Sequence, residues 1–363
     1  MKPANQRLLA LDILRGITIA GMILVNDPGS WNSVYAPLKH ASWNGLTPTD
    51  LVFPFFMFIM GISTYISLRK YQFECNRSTV WKIAKRTLVI FAIGLLINGF
   101  SNMTFDNIRI LGVLQRLALS YGFAAIIALL LKHKYIPYII VTLLVGYALI
   151  LLFGNGYEYN ESSILSFVDR NVLGINHIYK DNGIDPEGLL STIPSIAHVL
   201  IGFSVGKWLM SESDIREKML RLFLLGTIFT FAGFLLNYGL PINKKVWSPT
   251  FVLVTCGLAS SFLALLIWII DVKGYKRWSG FFEAFGVNPL FMYVVAEALS
   301  ILLYNIHFTY NGETISLRGY VYKILLQPVF GNYPGSLIFA ILFVCLVWLG
   351  GYTLYKKKIY IKI

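Results

Sequence analysis

With 363 residues, 56% of them hydrophobic and only 13% charged, the chain carries about half the charge of a soluble domain and reads as an integral membrane protein. Its net charge of +13 then belongs to basic loops on a cytoplasmic face, and nucleic-acid binding is excluded. Cys75, Cys256 and Cys345 are too far apart for a metal motif, and no other His, Cys, Asp and Glu spacing suits one.

A bilayer-spanning helix needs about 20 mostly apolar residues. Runs of that kind predict an all-α polytopic fold of about ten spans, at 8–26, 48–68, 80–99, 110–131, 135–153, 190–210, 219–238, 249–270, 280–304 and 335–355. The first run holds Asp12 and Arg15 and no small-residue cleavage site, so it is expected to remain as a helix rather than leave as a signal peptide. Between these spans there is no internal repeat or low-complexity linker, which predicts one membrane domain over 1–363. Lys and Arg of the termini and even-numbered loops, counted together with the adjoining span ends, number twenty-one, against eight in the odd-numbered loops. Both termini are therefore expected on the cytoplasmic side.

Polar residues inside or beside such spans need a reason, because an ionisable side chain there costs about 2.5–3.5 kcal/mol on insertion scales. Asp12 and Arg15, three apart, share a helix face and can neutralise one another. Asn26 closes the first span. The next outward loop runs into the second span as "KHASWNGLTPTDLVFPFFMFIMG", with His40, Trp43, Asn44, Thr47 and Asp50 immediately ahead of an uncharged stretch. Asp50 has two readings, an acidic helix cap and a partner of the histidine. Asn98 ends the third span, Gln115 and Arg116 lie in the outer half of the fourth, and Asn237 ends the seventh. The loop "GIDPEGLLSTIPSIAH" adds Asp185 and Glu187, and Trp247 precedes the eighth span. His198 falls inside the sixth and reads as a core histidine. No phosphate-cradling glycine loop and no nucleophile elbow is present, so ATP-driven and serine-hydrolase chemistry find no support.

The stretch "RLLALDILRGITIAGMILVN" followed by the histidine segment resembles the transmembrane heparan-alpha-glucosaminide N-acetyltransferase family and its bacterial relatives. The likeness continues through "ILGVLQRLALSYG", "DPEGLLSTIPSIAHVLIGFSVGK", "PINKKVWSPTFVLVTCG" and "GVNPLFMYVVAE", in the family's order. The resemblance implies transfer of acetyl from cytosolic acetyl-CoA to the amine of glucosamine, or of a glucosamine-terminated saccharide such as heparan sulfate, on the opposite face. The family's active-site histidine matches His40, its catalytic asparagine matches Asn26, and a homodimer is implied. Two departures stand out. The luminal domain of the lysosomal enzyme is expected to be absent, as in a bacterial inner-membrane homologue, and "DPGSWNS" replaces the family's glycine-rich run after the asparagine.

Chemistry assigns roles within that frame. Histidine, with a reference pKa near 6.5, suits a general base toward the amine and could also carry the acetyl group as a nucleophile; the base is preferred here. Asn26 can orient the imidazole or donate to the oxyanion, and Asp50 can set the tautomer. Arg15, Arg116, Asn98 and Gln115 are the candidate acetyl-CoA contacts. Trp43, Asn44, Asp185, Glu187, Asn237 and Trp247 are the candidate acceptor contacts, and no metal is expected. An amino-sugar transporter and an O-acyltransferase of a surface glycan are the competing readings.

Overall fold

A computed structural model of the chain describes residues 8–102, 107–179, 181–212 and 214–361. Lys2, Arg7, Lys180 and Lys362, which enter the charge count above, lie outside the described residues. The helices in chain order are α1 (Leu9–Asn26), α2 (Val52–Arg69), α3 (Arg77–Asn102), α4 (Val113–Leu130), α5 (Ile136–Phe153), α6 (Ile164–Leu173), α7 (Thr192–Ser211), α8 (Ile215–Leu236), α9 (Pro249–Ile267), α10 (Ser279–Val287) and α11 (Pro289–Asn305). The antiparallel pair β1 (His307–Tyr310) and β2 (Glu313–Ser316) follows, then the short α12 (Leu317–Tyr320) and α13 (Gln327–Phe330), and last the long α14 (Asn332–Lys356). Asn311 and Gly312, both at positive φ, make the tight turn between the two strands.

Among the described residues eight helices are long and apolar enough to cross a bilayer, nine if the bent pair α10–α11 is one span. The protein is an all-α polytopic membrane protein. Two of the expected ten spans differ. The third forms as the continuous α3, but Arg77, Lys82, Lys85 and Arg86 dilute its N-terminal half and it is not one of the eight. The ninth is not one helix. It bends by 87° between α10 and α11, where Asn288 precedes Pro289. Proline drives its predecessor out of helical geometry, and Asn288 sits at φ −126°, ψ 55°. Its side chain holds the break in place, donating to the Ile359 carbonyl at 2.9 Å and accepting from the Ile361 amide at 2.8 Å.

The chain folds as two compact units. The first comprises Met1–His40, Thr47–Phe53 and Leu266–Lys362, within the described residues. Its centre is the crossing of α1 and α10. A Cβ on Gly16 would lie 1.9 Å from the Phe282 carbonyl oxygen, and one on Gly286 would lie 2.0 Å from that of Asp12. Only glycine lets the two backbones approach so closely. Arg15 reinforces the crossing, with Nη1 2.9 Å from Asp12 Oδ1 and 3.2 Å from the Gly286 carbonyl. On the other side of α10, Phe281 stacks on Trp348 of α14, whose indole N–H donates to the Phe281 carbonyl at 3.0 Å.

The second unit comprises Ala41–Leu46 and Pro54–Leu265. Here Gly61 of α2 and Gly202 of α7 interlock, each with its Cβ position 2.2 Å from a carbonyl oxygen of the other helix. α4 packs on α3 and α7, and α5 on α7. α8 leaves most of its apolar side chains exposed, Phe231 and Leu235 among them, as a lipid-facing helix does.

Candidate active site

Within the first unit the histidine segment is shaped by short-range hydrogen bonds. Thr47 and Pro48 open a 3₁₀ turn, Pro48–Leu51, that leads directly into α2. Pro48 suits the first position because its missing N–H would have no helical partner there. The carboxylate of Asp50 turns back and accepts the Thr47 backbone N–H on Oδ2 at 3.0 Å, with the Thr47 hydroxyl also 3.0 Å away. That hydroxyl lies 2.7 Å from the Lys39 carbonyl, and the Thr49 hydroxyl donates to the Pro37 carbonyl at 3.1 Å. The strand carrying His40 is thereby tied to the turn carrying Asp50.

The second oxygen of Asp50 faces the imidazole. His40 Nδ1 and Asp50 Oδ1 are 2.7 Å apart, the distance of a charge-assisted hydrogen bond. An ionised carboxylate only accepts, so Nδ1 carries the hydrogen and the lone pair of the neutral ring is on Nε2. The two sequence readings of Asp50 are therefore both realised, one on each oxygen. Asp50 has no exposed surface, whereas the His40 side chain is 44% exposed. A buried carboxylate fixing the tautomer of a reachable imidazole is the arrangement a general base requires.

Asn26 ends α1 and donates to the Glu297 carboxylate of α11, which also takes a hydrogen bond from Tyr293. The imidazole is oriented by Asp50, and Asn26 is directed at Glu297. The next residue, Asp27, was not singled out by its sequence. It is only 5% exposed, with the Ser300 hydroxyl donating to Oδ1. Burial raises its carboxyl to about 6, while Ser300 and the nearby Arg318 pull it back.

The remaining candidates lie in the second unit, apart from Arg15, whose guanidinium is engaged at the α1–α10 crossing. Trp43 donates its indole N–H to the Tyr157 carbonyl at 2.9 Å and stacks on Tyr159, centroids 4.3 Å apart and planes 18° from parallel. Lys245 lies 2.6 Å from the Tyr159 hydroxyl and 2.7 Å from Asp181, so the stack is flanked by an ion pair. Asn44 accepts from the Asn243 amide at 3.1 Å. Asn237 caps the end of α8 by accepting the Ile242 amide at 2.7 Å, a structural contact that shapes the loop before α9.

Asp185 and Glu187 are joined by Arg109, which donates to both carboxylates. Asp185 also accepts the Tyr179 and Glu187 backbone amides at 2.8 and 2.9 Å. Burial works to raise the Glu187 carboxyl, and Arg109 with Arg116 outweighs it and holds it below the usual carboxylate range. In the sequence Arg109 is one of the eight cations of the odd-numbered loops and carries no motif of its own. Its position opposite an acidic loop was the available signal. Arg116, 1% exposed, donates to the Ser191 hydroxyl and lies over the Trp247 ring at 4.8 Å. Its neighbour Gln115 packs against Gly94 and Gly112, and Asn98 donates to the Arg109 carbonyl at 2.8 Å. Three of the candidate residues, Gln115, Arg116 and Trp247, are therefore parts of a buried polar interior, with Asn98 half-buried at its edge.

Comparison with known proteins places the chain in a family. Residues 7–234, the part containing the dyad, Asn26 and Arg116, match the family described as heparan-alpha-glucosaminide N-acetyltransferase, catalytic. The heparan-alpha-glucosaminide N-acetyltransferase of Mus musculus is 29% identical over 424 aligned positions, covering 100% of this chain and 61% of the mouse protein. That of Homo sapiens is 31% identical over 366 positions, covering 82% of this chain and 55% of the human protein. The chain thus spans somewhat more than half the length of these relatives. By the family match over more than half of its length, this chain belongs to the heparan-alpha-glucosaminide N-acetyltransferase catalytic family.

Proposed function

We propose that the chain, acting over 1–363 as one transmembrane acyltransferase domain, moves an acetyl group from acetyl-CoA to the amine of glucosamine or of a glucosamine-terminated saccharide. The observation that carries this reading is the His40–Asp50 dyad. As the neutral amine attacks the thioester carbonyl, Nε2 of His40 takes its proton and Asp50 stabilises the imidazolium that forms. The proton then passes to the departing thiolate, giving CoA-SH and the acetamide. An amide donor such as Asn26 at the developing oxyanion would contribute about 3–4 kcal/mol.

Acetyl-CoA enters from the cytoplasm, with Arg15, Arg116, Asn98 and Gln115 as its candidate contacts. The acceptor approaches from the opposite face, where Trp43 stacked on Tyr159 offers an aromatic surface of the kind that binds sugar rings. The charge asymmetry of the loops supports cytoplasmic termini and an outward His40, in the inner membrane of a bacterium, and the family supports a homodimer. One feature favours a second reading. The sharp break between α10 and α11 is of the sort found in transporters of small solutes, here an amino sugar.

Purified protein incubated with radiolabelled acetyl-CoA and glucosamine tests both. The expected result is labelled N-acetylglucosamine from the wild type and a loss of about 10²–10⁴-fold in turnover for His40→Ala. Undiminished turnover in that variant would overturn the assignment. Uptake of unmodified glucosamine into vesicles without acetyl-CoA would favour transport instead.

A further inference from the structure

α3 gathers positive charge at one end without acids to match it. From 69 to 86 the chain holds six cations, Arg69, Lys70, Arg77, Lys82, Lys85 and Arg86, and the single acid Glu74. The start of α8 is the contrast. There Arg216, Lys218 and Arg221 are matched by as many acids, Glu212, Asp214 and Glu217, and Arg221 bridges the two glutamates at 3.4 and 2.8 Å. The chain neutralises one basic helix end itself and leaves the other with its charge.

Two of the six cations are engaged within the protein. Arg69 donates to the Met210 carbonyl at 3.2 Å, and the Arg86 guanidinium lies over the Tyr121 ring of α4, 4.7 Å from its centroid. Lys82 lies over the Tyr71 ring at 4.1 Å and stays exposed. Arg77 and Lys85 are exposed and make no hydrogen bond or ion pair with the described residues. Cations held this close together repel one another, and an anion placed among them relieves that repulsion.

The free cations share a helix face with exposed hydrocarbon. Arg77, Trp81, Lys85, Leu88, Ala92 and Leu96 recur at three- and four-residue steps, so they form one stripe, and every one of them is exposed, while α3 packs on α4 by another face. Leu88 and Leu96 are 63% and 60% exposed, a surface that acyl chains cover in a membrane. Charge gives way to hydrocarbon between Lys85 and Leu88, about 4.5 Å along the helix. The uncharged part of α3, 87–102, is about 24 Å long, short of the ~30 Å hydrocarbon core. A stretch that short draws lipid headgroups down to Lys85, and the neighbouring Trp81 suits the same interfacial level.

We propose that this face of α3 is a docking surface for an anionic phospholipid, its phosphate held by Arg77, Lys82 and Lys85 beside Trp81 and its acyl chain lying along Leu88 and Leu96. The surface lies wholly within the second unit, and the proposal goes beyond acetyl transfer without depending on it. A zwitterionic lipid would cover the hydrocarbon equally well, but its ammonium group cancels its phosphate and leaves the cations unbalanced. A lipid of net negative charge satisfies both halves of the stripe at once, and each basic side chain at such a surface strengthens binding by about 5-fold. The same cations that set α3 apart from the eight more apolar helices are, on this reading, what fastens its short uncharged stretch in the bilayer.

The test titrates the purified full chain in detergent with phosphatidylglycerol and, separately, with phosphatidylcholine of the same acyl chains. Binding is read by native mass spectrometry, and its position by quenching of indole fluorescence with brominated chains. The wild type is expected to prefer phosphatidylglycerol by about 100-fold at low salt, a preference that shrinks as salt is added. Arg77→Gln or Lys85→Gln should each lower the preference about 5-fold and the double variant about 25-fold, whereas Arg216→Gln at the balanced end of α8 should leave it unchanged. Trp81→Phe should remove most of the quenching that depends on phosphatidylglycerol. Equal binding of the two lipids by the wild type, or an undiminished preference in the double variant, overturns the proposal. So does an equal loss in Arg216→Gln, which would make the effect one of net charge, or quenching that survives Trp81→Phe, which would put the lipid elsewhere. Displacement of phosphatidylglycerol by coenzyme A, a soluble polyanion, would assign the cations to a nucleotide and overturn it as well.

Discussion

Asp50 and Asp185 are both fully buried carboxylates beside a basic side chain, and they are built for different tasks. Asp185 is closed on every side by permanent partners: the guanidinium of Arg109 and the amides of Tyr179 and Glu187. Nothing in that set exchanges a proton near neutral pH, so the cluster fastens Asp185 and Glu187 to the segment just before α4. Asp50 divides its oxygens, one for the Thr47 amide and one for a half-exposed imidazole. The lesson is that burial of an acid does not mark a reactive site. The identity and accessibility of what it holds do.

The largest expected effect separates the two directly. His40→Ala should abolish transfer by about 10²–10⁴-fold in kcat with little change in thermal unfolding, because the ring is half exposed. Arg109→Ala should do the reverse in kind, destabilising the protein by about 3–5 kcal/mol through two orphaned buried carboxylates. Chemical or thermal unfolding of that variant in detergent checks it. If Arg109→Ala unfolds normally yet loses transfer, Arg109 is part of the reaction and not a staple.

A pH-dependent effect of intermediate size sharpens the same contrast. Asp169, on α6, has Oδ1 bonded to the Leu189 amide at 2.8 Å, and burial raises its carboxyl to about 6, partly offset by that amide. A carboxyl raised on folding stabilises the native state fully below its unfolded value of 3.8, and that contribution is lost as pH rises through about 6. Two units correspond to about 3 kcal/mol. Asp169→Asn should flatten the dependence of the unfolding midpoint on pH between 4 and 6, and an unchanged slope would assign it to other groups. The smallest effect is expected at Thr47. Thr47→Ala removes the side chain that braces Asp50 and Lys39, for a loss of about 1 kcal/mol of stability and a modest fall in kcat.

Much of the fold was legible because a bilayer imposes a length and a composition on each crossing. The expected spans at 8–26 and 190–210 match α1, Leu9–Asn26, and α7, Thr192–Ser211, to within two residues. The run at 280–304 is as apolar as these, so composition carried no trace of the bend. The dipeptide Asn288–Pro289 did, and the side-chain bonds of Asn288 to the C-terminal segment explain why the chain breaks there instead of merely kinking. The helix α6 and the β1–β2 hairpin sit between the spans, where neither periodicity nor length was strong enough to name them.

The candidate site divides along the same line. Sequence by itself determined the all-α membrane class, because apolar length survives in one dimension, and through its motifs the family; it offered His40, Asp50 and Asn26 as candidates. That Asp50 serves the cap and the imidazole at once, that Asn26 meets Glu297, that Arg109 gathers Asp185 and Glu187, and that Asp27 accepts the Ser300 hydroxyl were decided only by the tertiary structure. Each depends on groups 10 to 273 positions apart in the chain. Burial, which sets the cost of every unpaired charge, exists only once those groups have been packed together.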